Sequence, residues 1–302
     1  RGGEHKRGKC MGTMPMRKRY SAVLADRGVV RIGGAEARSF LQNIVTTDME
    51  RVAEDRAGFG ALLSPQGKIL ADFLVFADGD GFLVDLPKAA LADFVKRMTL
   101  YRLRAKVEIA DLSAERKVAV FWGGDAPDGA VSDPRLAELG HRAILAKDAP
   151  IENETQAEAW HAHRIGLGVP EGGRDFAFGE AFPHDVDMDD LAGVDLRKGC
   201  YVGQEIVSRM QHRGTARRRA VIVTGAAELA DAGTAVEGNG KALGTLGSHA
   251  GTAGIALLRL DRTRAALDTG ASITAGGVPL SITLPAFAHF GWPAGSEDEG
   301  AA

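Results

Sequence analysis

Apolar and polar positions begin to alternate in a regular way near residue 21. Residues 21–34 (SAVLADRGVVRIGG) predict a loop and then a short strand at 29–32. Ala37, Phe40, Leu41 and Ile44 recur at helical spacing, which predicts an amphipathic helix over 35–45. Residues 60–65, a Gln66-Gly67 turn and residues 68–76 read as a hairpin. A strand at 82–86 follows, and Pro87 opens a helix to about Tyr101 with Leu91, Phe94, Val95 and Met98 inward. Strands are expected at 107–110, 118–122 and 143–145, then a helix near 153–164 capped by Asn153 or Thr155. Strand pairs interleaved with single helices imply an antiparallel α+β arrangement. Residues 166–200 are irregular, and so long a loop within a domain is usually functional.

The pattern changes near Ala216. Short strands separated by glycine turns are expected at 220–224, 234–237, 242–248, 255–260, 272–275 and 278–284, with almost no helical signal. This predicts a small antiparallel barrel or sandwich. The chain therefore divides into a basic disordered tail (1–19), an α+β domain (20–215), a β-barrel domain (216–290) and an acidic disordered end (291–302).

Composition narrows the function classes. Lys and Arg number 37 against 40 Asp and Glu, a net charge of −3, so no global basic field favours direct nucleic-acid binding. No run of 18 apolar residues could span a membrane, and the first twenty residues lack the apolar core of a secretory signal. The two cysteines, Cys10 and Cys200, exclude a disulfide scaffold and form no C-x-x-C pair, so a reducing, cytoplasmic compartment is expected.

Several clusters invite chemistry and are better explained otherwise. His184, Asp185, Asp187, Asp189 and Asp190 fail the EF-hand template, because the glycine and final acid it requires fall on Asp190 and Leu196. His161 and His163 lie two apart and share no helix face, so no metal site is expected. The arginines from Arg213 to Arg219 read as a solvated linker face.

The segment 197–213, RKGCYVGQEIVSRMQHR, carries the most chemistry. Gly199 and Gly203 permit a sharp turn around Cys200, with Arg197 and Lys198 just before it and a helix from Gln204 after it. Neighbouring cations and a helix N-terminus favour a thiolate, which makes Cys200 a candidate reactive group tuned by Lys198. A small core cysteine in a glycine-rich turn explains the same residues. Glu205 and Arg209 are spaced for an i,i+4 pair.

The string KGCYVGQE resembles the K-G-C-[FY]-x-G-Q-E signature of the YgfZ-type folate-binding proteins, which are related to the T-protein (aminomethyltransferase) of the glycine cleavage system. Further similar blocks are FLQNIVTTD at 40–48, LLSPQGKILADFLVF at 62–76, RIGLGVPEGG at 164–173, FPHDVDMDDL at 182–191 and VSRMQHRGTARRR at 207–219. The resemblance implies an α+β folate-binding, aminomethyltransferase-like domain of ferredoxin-like pieces, followed by a small antiparallel β-barrel. It implies a role in assembly or repair of iron–sulfur proteins, with an indirect effect on tRNA modification. Tetrahydrofolate, or a one-carbon-substituted folate, is the implied ligand, and iron–sulfur client proteins or assembly factors are the implied partners.

Carried over residue by residue, the resemblance places Cys200 and Lys198 at the reactive position. It places Asn43, Thr47, Asp72, Trp160, Arg164, Asp195, Tyr201, Gln204, Glu205 and Arg209 around the folate. Asn43 and Thr47 also read as a polar cap on the first helix. The chain departs from the transferase pattern at two acids: its paired Asp-Asp is Ala71-Asp72, and the pterin-binding Glu is replaced by Gly166. A pterin edge presents adjacent N–H donors for which a carboxylate is the natural bidentate acceptor. These losses argue against a folate-dependent aminomethyltransferase or demethylase, which stands as the alternative function, beside a scaffold that binds no folate. A Trp that contacts folate in the bacterial relative is Arg27 here. Asp72, Asp187 or Asp195 would have to supply the missing acid.

Overall fold

The computed structural model describes residues 18–213 and 217–293. The two tails expected to be disordered, Cys10 and the composition break at Ala216 lie outside these, apart from a few flanking residues. Strand β1 (Tyr20–Val23) leads into β2 (Arg27–Gly33), α1 (Ala37–Gln42), β3 (Gly58–Leu63), β4 (Ile69–Asp78), β5 (Gly81–Pro87), α2 (Lys88–Arg102) and β6 (Glu108–Asp111). Strands β3-β4-β5-β2-β6 form one five-stranded antiparallel sheet.

Helices α1 and α2 cover one face of this sheet, where Phe40, Leu41, Phe94 and Met98 meet Val30, Ile32, Phe73, Val75 and Val84. The alternate residues Val29, Leu74, Phe76 and Leu83 point to the other face. Burial on both faces is why β4 and β5 read as nearly continuous apolar runs rather than an alternation.

The second sheet comprises β7 (Arg116–Trp122), β8 (Val131–Ser132), β9 (His141–Ala146) and β10 (Glu154–Thr155), with β1 inserted between β10 and β7. Its Ala22, Val118, Val120 and Trp122 pack against the open face of the first sheet. Residues 20–23 were expected as a loop. They form a strand because their partners, such as Tyr20↔Trp122, lie about a hundred residues away and leave no local signal. Helix α3 (Ala157–Gly166) starts later than the spacing predicts. Thr155, expected as its cap, is instead in β10 and donates from Oγ1 to the Ser21 carbonyl at 2.9 Å.

After a long loop containing one short 3₁₀ turn (Pro183–Val186), α4 (Gln204–Arg213) precedes a barrel. The barrel closes in the order β11-β14-β13-β12-β15-β16, from β11 (Arg218–Gly225), β12 (Ala235–Gly238), β13 (Lys241–Ala250), β14 (Ala253–Arg259), β15 (Ile273–Ala275) and β16 (Val278–Thr283). Closure removes the unpaired edges that an open sheet would expose. One element is unexpected, helix α5 (Leu260–Asp268). Its inward positions are Leu260, Thr263 and Ala266, too small and polar to register as an apolar stripe. No helix among the described residues is long and apolar enough to cross a membrane.

Candidate functional site

The glycine-framed loop before α4 presents Cys200 as a free, exposed thiol. Gly203 holds φ +82°, and a Cβ there would lie 2.6 Å from the Ser64 carbonyl oxygen, so the loop packs backbone to backbone on the β3–β4 turn. Tyr201 and Val207 point inward and anchor the loop to the core between the sheets. Burial pushes the Tyr201 phenol well above its ordinary range, with Asp195 adding to the shift.

Lys198 is not turned toward the thiol. Its Nζ donates to the Val45 carbonyl and lies 5.4 Å from the Tyr201 ring centroid. Burial lowers its pKa to about 8, although Asp48 and Asp195 oppose the shift. Gln42 Nε2 donates to the Lys198 carbonyl at 3.1 Å, which ties the loop to the end of α1. The cation expected to tune Cys200 is thus committed to holding the loop in place. Glu205 and Arg209 form the expected pair, 2.7 Å apart on an exposed helix face.

The residues expected around a folate do not converge. Asn43 is exposed and donates to the Ser39 carbonyl at 2.9 Å, a cap on α1. Thr47 and Asp195 line a cleft of about 430 Å³ floored by Val52, Phe59 and Val194, which borders the Cys200 loop through Asp195. Gln204 lies at the start of α4. Trp160, Asp72 and Arg164 are in the interior, 1%, 4% and 0% exposed. Trp160, expected as a ligand contact, meets Trp122 edge-on at 5.7 Å between centroids. Arg164 Nη1 donates to Asp175 at 2.8 Å and Nη2 to the Ser248 hydroxyl at 2.8 Å, joining α3 to the barrel. Gly166 is exposed with open space around it.

Between the two sheets lies a set of charges, most of which sequence reasoning did not single out. Arg27 donates from Nε to Asp85 Oδ1 at 2.6 Å, from Nη2 to the Asp85 carbonyl at 2.9 Å and from Nη1 to Glu171 Oε1 at 2.9 Å. Arg142 Nη1 takes the other Asp85 oxygen at 2.6 Å, and Arg135 pairs with Asp133 at 2.7 Å. Burial opposes the Glu171 charge, but Arg164 and Arg27 outweigh it and hold this carboxyl far below the usual range. Asp72 differs: burial raises its pKa more than Arg27 lowers it, and only Oδ2 has a partner, the Gly172 N–H at 3.1 Å.

A resident pterin would need these carboxylates free and a slot beside Trp160. Both Asp85 oxygens and Glu171 Oε1 are already taken and Trp160 is 1% exposed, so the residues present leave no open slot for the folate that the resemblance implies. Among the described residues no group of three or more His, Cys, Asp or Glu is placed to hold a metal ion.

Residues 217–290 match the model of the CAF17 C-terminal β-barrel domain. The chain is 31% identical over 224 residues to the mitochondrial iron–sulfur cluster assembly factor IBA57 homolog of Mycosarcoma maydis, covering 66% of this chain and 56% of that protein. It is 28% identical to the human mitochondrial iron–sulfur cluster assembly factor IBA57, covering 89% of this chain and 84% of that one. Its relatives are iron–sulfur cluster assembly factors. The chain spans about half the length of the fungal relatives it matches.

The structure also superposes on the glycine cleavage system aminomethyltransferase T of Bartonella henselae with a TM-score of 0.69, at 12% identity over 90% of this chain and 87% of that one. That likeness shows the fold, an aminomethyltransferase-like α+β body followed by a barrel. The expected kinship therefore holds at the coarser level, with IBA57 proteins rather than YgfZ-type proteins as the relatives found. The expected cytoplasmic compartment is corrected, because these relatives are mitochondrial proteins. Scarce cysteines signal a reducing environment and do not distinguish one such compartment from another.

Proposed function

We propose that the chain supports the assembly or repair of iron–sulfur proteins and that Cys200 is the group it offers to its partners, which are client proteins or other assembly factors. The observation that carries this reading is the exposed, free thiol on a loop pinned at Lys198, Tyr201 and Gly203. Its relatives' role in iron–sulfur cluster assembly supports it. A four-iron cluster usually takes four thiolates. One Cys200 can supply only one ligand or one attacking sulfur, so the remaining ligands must come from the partner. An effect on tRNA modification would follow indirectly, through an iron–sulfur enzyme.

The transferase alternative has the fold in its favour. Against it, Asp72 is 4% exposed and accepts from the Gly172 N–H, and Ala71 packs on the helix-covered face of the sheet. This reading assigns no working part to tetrahydrofolate or a one-carbon-substituted folate.

The test is complementation. Expressed in the mitochondria of cells that lack their own relative, the chain should restore the activity of four-iron enzymes, and Cys200→Ala should not.

A further inference from the structure

We infer that Arg27 is a built-in substitute for the guanidine-like edge of a pterin, and that the chain holds no tetrahydrofolate between its sheets.

The argument begins with donor patterns. The pyrimidine ring of a pterin carries a 2-amino group flanked by ring nitrogens, a planar N–C–N arrangement that carboxylates accept side-on. A guanidinium carries the same arrangement. Arg27 uses all three of its nitrogens: Nε on Asp85 Oδ1, Nη2 on the Asp85 carbonyl and Nη1 on Glu171 Oε1. The second Asp85 oxygen is occupied by Arg142.

Charge balance points the same way. Arg27, Arg135, Arg142 and Arg164 pair with Asp85, Asp133, Glu171 and Asp175, four cations against four carboxylates, with the Asp72 carboxyl beside them and its charge disfavoured by burial. Removing one member of such a buried set strands its partner's charge. Asp72 Oδ1 and Trp160 Nε1 beside it, and Glu171 Oε2, Arg142 Nε and Arg142 Nη2 within it, have no hydrogen-bond partner, so some polar groups suited to a ligand persist. The space does not, since Arg27, Asp85 and Trp160 are 6%, 0% and 1% exposed. The space between the sheets is therefore filled here by their own side chains.

Two measurements on the full chain test this. Calorimetric titration with tetrahydrofolate should give no saturable heat up to about millimolar ligand, the regime of only a few kcal/mol of affinity. A one-to-one isotherm at micromolar ligand would overturn the inference. Arg27→Ala should leave a guanidinium-shaped vacancy facing Asp85 and Glu171. Its melting temperature should rise saturably with ethylguanidine, while the wild-type chain should not respond. If Arg27→Ala does not fold unaided, its refolding yield with and without ethylguanidine gives the same readout. An Arg27→Ala chain indifferent to ethylguanidine would contradict the substitution, and Arg27→Ala/Asp85→Asn should lose the response.

Discussion

Arg27 and Asp85 are joined twice, side chain to side chain at 2.6 Å and side chain to backbone at 2.9 Å, with neither residue reaching solvent. The pair links the end of β2 to the neighbouring strand β5, and Arg142 extends the link to the second sheet. The two sheets are thus held by charge as well as by apolar contact. Breaking such a pair from one side strands a buried charge, which costs about 3–5 kcal/mol. Arg27→Met should lower stability by that order in urea unfolding followed by circular dichroism. A loss below about 1 kcal/mol would show that the lattice relaxes freely.

Acid should weaken the same lattice. The Glu171 and Asp133 carboxyls are held below their unfolded values, Glu171 by Arg164 and Arg27, Asp133 by Arg135 and Arg142, each against burial. The unfolded chain then binds more protons than the folded one in acid, so stability falls as pH drops. The loss begins below the unfolded carboxylate values, about 4, and continues toward the folded ones. Asp72, whose pKa burial raises, contributes in the opposite sense. Melting temperatures measured from pH 7 down to pH 3 should decline, and Glu171→Gln should flatten the slope.

Lys198 should titrate below the ordinary lysine range. Its pKa is lowered to about 8 by burial, so the folded state sheds a proton before the unfolded state does. Stability should therefore rise with pH between about 8 and the ordinary lysine value near 10.4. Carbon-13 spectra of the reductively methylated chain should show one resonance titrating near 8, absent in Lys198→Met. Its absence from the wild-type spectrum would mean that the ammonium is better solvated than the structure indicates.

The loop glycines offer an internal comparison. Gly203 and Gly199 both hold positive φ, +82° and +97°, but only Gly203 has backbone within reach of an added Cβ. Gly199→Ala should cost roughly 1 kcal/mol from the left-handed conformation alone, and Gly203→Ala distinctly more. Equal losses in urea unfolding would deny the close contact with Ser64.

Much of this was legible in the sequence because it is local. The β3–β4 hairpin, helix α2 and the barrel strands each follow from a period, a turn glycine or a helix-opening proline. The Cys200 loop was legible as a motif. What escaped was long-range. Arg27 meets Asp85 across 58 positions and Glu171 across 144, so no window of sequence shows that these charges neutralise one another. Trp160 and Arg164 were expected at a ligand because their burial against Trp122 and Asp175 is likewise invisible locally.

The central claim is that this chain serves iron–sulfur proteins through one thiol. The most direct measurement is the activity of four-iron enzymes in cells deprived of their own relative and supplied with either the wild-type chain or Cys200→Ala. Recovery with the wild-type chain and none with the variant is the predicted result. Equal recovery with both, or with neither while both accumulate as folded protein, would contradict it.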